Sequence, residues 1–144
     1  MTRQFIRSWA CVRVAIGVLL AGMLGCGAPP DWDRNSEQSF EQLQGADRID
    51  VIVSGRGFSP TESIRDTRRI EIAIDFIRPY RTGWTSSWKG PRMPMVDLRF
   101  YRGTSYLGGF GLAAGYITVG GYHQYVPQGI TSELARQLGL GTYM

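Results

Sequence analysis

Between Met95 and Val119 three stretches of strand-forming residues follow one another with only three residues between them, and few folds accept that spacing. In Met95–Tyr101, Val96, Leu98 and Phe100 alternate with Asp97, Arg99 and Tyr101. This is the period of a strand with one buried and one wet face. Arg102-Gly103-Thr104 turns the chain into Ser105–Leu112, a strand loosened by Gly108, Gly109 and Gly111. Ala113–Gly115 turns it again, into Tyr116–Val119. Parallel pairing needs a crossover of about a dozen residues, so these short links predict an antiparallel meander.

The flanking segments complete the domain. In Arg48–Ser54, Ile49, Val51 and Val53 alternate with Asp50, Ile52 and Ser54, and Gly55-Arg56-Gly57 ends the strand. A turn-rich connection starts at Ser59-Pro60. Asp66 then suits a helix N-cap, where its carboxylate accepts a backbone N–H two or three residues on. Ile70, Ala73, Ile74 and Ile77 recur at the spacing of one helical face, with Phe76 widening the stripe, and core burial explains such a stripe best. Pro79 stops this helix, because the residue before a proline avoids the α region. Near the C-terminus Thr131 or Ser132 is placed to cap a short helix with Leu134, Ala135 and Leu138 on one side and Gly139 at its end. The expected fold is α+β: a single small domain in the order β-α-β-β-β-α, an antiparallel sheet with one or two helices packed on one face. Ser36–Leu43 suggests a further short helix, with Phe40 and Leu43 on one side.

The N-terminus reads as an export signal. Arg3, Arg7 and Arg13 are its only charges, and Val14–Leu24 is an uncharged apolar run. The run ends at Met23-Leu24-Gly25-Cys26, with Pro29-Pro30 close behind. An uncleaved membrane-spanning helix, which needs roughly 20 apolar residues where this segment supplies fewer, and an ordinary secreted protein, with Cys26 as an unpaired thiol, are the alternatives. The four residues resemble the lipobox of bacterial lipoprotein precursors: Gly25 and Cys26 match it, Met23 stands for the usual Leu, and Leu24 is bulkier than the usual small residue. The resemblance implies that residues 1–25 are removed and that Cys26 is lipidated and anchors the chain to a membrane. Gly27, where some lineages use Asp for inner-membrane retention, implies the outer membrane where the cell has one. The protein is then expected in the cell envelope, facing the periplasm or the exterior. Residues 26–44 form the lipidated Cys26, a tether and the short helix, and residues 45–144 the globular domain.

Without residues 1–25 the chain keeps 119 residues, with 13 basic and 12 acidic ones. That near-neutral balance speaks against a nucleic-acid binder, which needs a sustained basic face. Cys11 lies within the signal, so Cys26 is the single cysteine left and no internal disulfide can form. Stability must come from the core, and the length suffices for one.

The sequence presents little chemistry. His123 is the only histidine, and no nucleophile elbow accompanies it. A zinc or iron site needs three or four clustered ligands, so no metal and no cofactor is expected. The glycine-rich Gly108–Gly115 sits in a strand and hairpin and lacks the Lys-Ser/Thr of a phosphate loop, so the glycines are read as easing twist, a bulge or close packing. Asp97 and Arg99 lie two apart on the polar side of one strand, as a surface charge pair would. The one segment that stands out is residues 78–92, with Arg78, Tyr80, Arg81, Trp84, Trp88, Lys89 and Arg92 and no acid. Loops of this kind carry function, and Arg and Trp are enriched at interface hot spots. The competing explanation is that Trp84 and Trp88 cover the end of the core. The expected function is a non-catalytic, envelope-anchored binding or interaction module, its partner an envelope protein or an anionic wall or lipid surface. An inhibitor or immunity-type lipoprotein that blocks an envelope enzyme or toxin comes second, and a hydrolase using His123 or a distant carboxylate pair third.

Overall fold

The structure, a computed structural model, describes residues 40–86 and 93–144. Cys26, Trp88, Lys89 and Arg92 lie outside the described residues. Among the described residues seven strands form one antiparallel sheet: β1 (Arg48–Val53), β2 (Glu62–Ile64), β3 (Thr85–Ser86), β4 (Val96–Arg102), β5 (Ser105–Ala113), β6 (Tyr116–Val119) and β7 (Tyr122–Tyr125). Their order across the sheet is β2-β1-β4-β5-β6-β7-β3. Helices α1 (Thr67–Ile77) and α2 (Ile130–Gln137) and a 3-10 turn at Gly141–Tyr143 join the sheet in an α+β fold. Among the described residues no helix is long and apolar enough to cross a membrane.

The meander from β4 to β6 is the predicted one, and it continues into β7. Val96, Leu98 and Phe100 are buried. They pair with Leu112, Phe110 and Gly108 on β5, with a bulge where Phe100 gives way to Tyr101. Two-residue links with Gly103, Gly115 and Gly120 at positive φ (57°, 77° and 58°) join the strands, as tight hairpins require. β1 lies against β4 from Arg48↔Tyr101 to Val53↔Val96.

The sequence expectation of four strands falls short by three. β2 folds back on β1, from Ile49↔Ile64 to Val51↔Glu62, inside what reads as an irregular connection. β7 follows β6 after Gly120-Gly121, and β3 pairs with β7 at Thr85↔His123 and Ser86↔Tyr122. The chain therefore lays β1 inside one border, forms that border with β2, leaves through α1, and reaches the opposite border at β3.

Both helices belong to the same core. In α1 the Asp66 carboxylate accepts from the Arg69 backbone N–H at 2.8 Å, and Ile70, Ala73, Ile74 and Ile77 are buried. Phe76 stacks on Phe110 at 6.1 Å, and Phe110 on Phe100 at 5.7 Å, which ties helix to sheet. In α2 the expected Thr131 or Ser132 cap is replaced by Gly129, which makes no side-chain cap bond. The helix starts before either residue, because Gly129 at φ 88° admits the chain two or three residues earlier. Thr131 is fully buried inside it. Its C-terminus ends at Gly139 as expected: Leu140 N–H bonds Ala135 O at 2.6 Å and Gly139 N–H bonds Arg136 O at 3.0 Å, the paired closure of a Schellman motif. Residues 40–43 are helical. Phe40 and Leu43, assigned by sequence to the lead-in, are buried in the core cluster of the sheet and helices.

Candidate functional site

The basic and aromatic segment after α1 is in part structural. The Trp84 indole N–H donates to Tyr80 O at 2.9 Å, and its ring stacks on Phe40 at 6.5 Å. Tyr80 packs against Phe76 at 5.6 Å. Both Trp84 and Tyr80 are half-buried against the core. Arg78 is exposed and pairs with Asp75 at 2.9 Å, while Arg81 is half-buried. Of this segment's candidates the structure brings Tyr80 and Trp84 together, while Arg78 turns to Asp75.

His123 is buried on β7. It stands beside Thr118 on β6 and Thr85 on β3, with the Tyr125 ring edge-on at 5.4 Å. Its Nδ1 has no hydrogen-bond partner among the described residues. No group of three or more His, Cys, Asp and Glu side chains that could hold a metal ion forms among the described residues.

The sequence reading missed a feature on the sheet face turned away from the helices. Strand alternation sends Asp50 and Ile52, Asp97, Arg99 and Tyr101, and Thr118 to that face. A hollow of about 530 Å³ opens there, floored by Gly109, Gly111 and Thr118 and walled by Asp97, Arg99, Tyr101, Tyr106 and Pro94. A second hollow, of about 370 Å³, runs toward Ile52 and Phe58 and shares Met93, Pro94, Asp97 and Arg99 with the first. Exposed apolar side chains rim this end of the sheet: Phe58 is 90% exposed and Met93 72%.

The glycines make the floor. A Cβ on Gly109 would lie 2.4 Å from Leu98 O and 3.3 Å from the Tyr106 hydroxyl; one on Gly111 would lie 2.4 Å from both Pro94 Cβ and Thr118 Oγ1. The close-packing and bulge roles expected of this glycine run are therefore both present. Gly109→Val should cost about 1–3 kcal/mol by overpacking against backbone. Gly121→Ala should stay within about 0.5 kcal/mol, since nothing lies within 4 Å of its Cβ. Urea unfolding of the two variants checks the contrast; equal midpoints would refute it.

The polar wall is held by short bonds. Arg99 Nε donates to Asp97 Oδ2 at 2.9 Å, and this hydrogen bond holds the guanidinium even more firmly protonated than usual. Asp50 accepts from the Ser63 hydroxyl at 2.7 Å and pairs with Arg48 at 3.0 Å. The Arg48 guanidinium sits 4.6 Å over the Tyr101 ring, and Tyr101 meets Tyr106 at 5.5 Å, tilted by 58°. Desolvation of its hydroxyl end raises the Tyr106 phenol above its ordinary value, with Asp97 adding to the effect. The arrangement holds a set of donors and acceptors rigidly beside an exposed aromatic ring. No family model, curated protein or solved structure matches this chain. Its function has to be read from this surface.

Proposed function

We propose that the chain is a non-catalytic binding module, held at the cell envelope by a lipid on Cys26, and that the open face of its sheet receives the partner. The observation that supports this reading is the glycine-floored hollow with its Asp97–Arg99 pair and the exposed Tyr106. Concave sites with a few convergent polar groups are the usual seats of ligands. The segment from Arg78 to Arg92, with Trp84, Trp88, Lys89 and Arg92, is a second contact toward an anionic wall or lipid surface, where basic residues gain about 1 kcal/mol each.

Tyrosine nitration tests the face. Tyr106 is 59% exposed and Tyr125 65%, so both should nitrate readily in the purified full chain. In isolated envelopes Tyr106 should be protected relative to Tyr125. Equal reactivity of Tyr106 in both preparations would remove the open face as the recognition surface. The anchor is tested separately: Cys26→Ala should abolish incorporation of labelled fatty acid, and an unmodified Cys26 in the exported protein would refute lipidation.

A second reading has one observation in its favour. Phe58 projects from the connection between β1 and β2, between Gly57 at φ 94° and Pro60. An exposed apolar tip of this kind suits an inhibitor that plugs a partner's cleft. Isolation of a stable one-to-one complex with an envelope enzyme, lost on Phe58→Ala, would favour it.

A further inference from the structure

Taking the open face as the recognition surface, we infer that its hollow binds a neutral saccharide, one or two pyranose rings seated between the Tyr106 ring and the Asp97–Arg99 pair. Charge comes first. Asp97 and Arg99 balance one another at 2.9 Å, and both side chains keep about a third of their surface open, 32% and 38%. A bound carboxylate or phosphate would have to sit beside Asp97, and a bound ammonium beside Arg99. A ligand without charge escapes both penalties.

Hydrogen-bonding capacity comes second. The bond joining the pair uses Nε and Oδ2. Asp97 Oδ1 remains an acceptor and the two terminal nitrogens of Arg99 remain donors. Acceptor and donors side by side match vicinal hydroxyl groups, each of which both donates and accepts. A purely apolar ligand would leave them unpaired on burial, which is costly.

Shape comes third. Tyr106 is fixed by its contact with Tyr101 yet remains 59% exposed. It therefore presents a fixed apolar face with a polar rim, the counterpart of a pyranose ring with its C–H face and peripheral hydroxyls. Gly109 and Gly111 carry no side chain, so Tyr106 and Pro94 lie close over the sheet and give the hollow its shape. The volume of about 530 Å³ falls in the ordinary range for small ligands, about 300–1,000 Å³.

The test uses the full chain, labelled with ¹⁵N-glycine and kept in a zwitterionic detergent free of sugar. The probes are tetra-N-acetylchitotetraose, cellotetraose and maltotetraose, all uncharged, with citrate and spermidine as charged counterparts. At least one saccharide should shift the amide signals of Gly109, Gly111 and Gly120 in a saturable way, with little effect from citrate or spermidine. Tyr106→Ala and Arg99→Lys should each weaken that binding at least tenfold, and Tyr106→Phe, which keeps the ring, should weaken it less. The inference is overturned if no saccharide moves these glycines, if only a charged probe does, or if Tyr106→Ala leaves the affinity unchanged in a folded chain. Loss of saccharide binding with Tyr106 still protected in envelopes overturns the ligand class alone; loss of both overturns the recognition face as well.

Discussion

Phe110→Ala is expected to destabilise the domain by about 3–5 kcal/mol, the range for emptying a buried aromatic site. Phe110 is fully buried at the middle of β5. It is stacked between Phe100 on the neighbouring strand and Phe76 on α1. Its removal therefore takes away one ring contact within the sheet and the one that joins helix to sheet. In a domain of this size each kcal/mol moves the thermal midpoint by roughly 4–8 °C, so circular dichroism should record a fall well beyond 10 °C. Phe110→Leu refills most of the volume and should lose less than half as much. A fall of under 4 °C for the alanine variant would mean that the stack is not the link between the two layers.

Ile74→Asp should be as damaging, for an electrostatic reason. Ile74 is 8% exposed and lies among Ile70, Ala73 and Ile77 on the buried face of α1. A carboxylate there has no cation to meet in the core cluster. It must either stay charged out of water or take up a proton, and an uncompensated buried charge costs about 3–5 kcal/mol. Ile74→Val, which keeps the apolar surface, should cost about 0.5–1.5 kcal/mol. The aspartate variant should recover part of its loss as the pH falls, because protonation removes the charge. Unfolding curves that overlay the parent at pH 7 would show that α1 buries another face.

These effects fall where the sequence was most legible. The stripe from Ile70 to Ile77 and the alternation in Val96, Leu98 and Phe100 are local periodicities, and each was enough to name the buried face. The Asp97–Arg99 pair was equally plain, two residues apart on one side of a strand. β2 was not legible, since Glu62-Ser63-Ile64 is too short to show a period and is defined only by its register with β1. β3, two residues long, escaped for the same reason. β7 had a usable signal: Gly120-Gly121 between Val119 and Tyr122 is a two-residue hairpin link. The polar character of Tyr122-His123-Gln124-Tyr125 masked it. The start of α2 was misplaced because Thr131 and Ser132 are good capping types, whereas the chain enters through a left-handed Gly129.

The candidate site was hidden for a different reason. Gly109 and Gly111 could be read as tolerant of close approach, but not as a floor. That requires Pro94 to lie over Gly111 and the Tyr106 hydroxyl over Gly109. Tyr106 itself looked like any strand residue. Its value depends on Tyr101, brought alongside by the turn at Gly103 and the bulge next to it. A hollow of this sort is a property of neighbours across strands, and no window along the chain contains it.

Among the described residues, the β2 border of the sheet is only three residues long. Open strand borders are templates on which further chains add, the first step toward fibres. Copies of a protein crowded side by side on a surface meet at local concentrations far above those in solution. A border of three residues, such as β2, offers an incoming strand too few backbone groups to zip onto. At its β2 border the sheet thus gives its own copies almost no rail along which to polymerise.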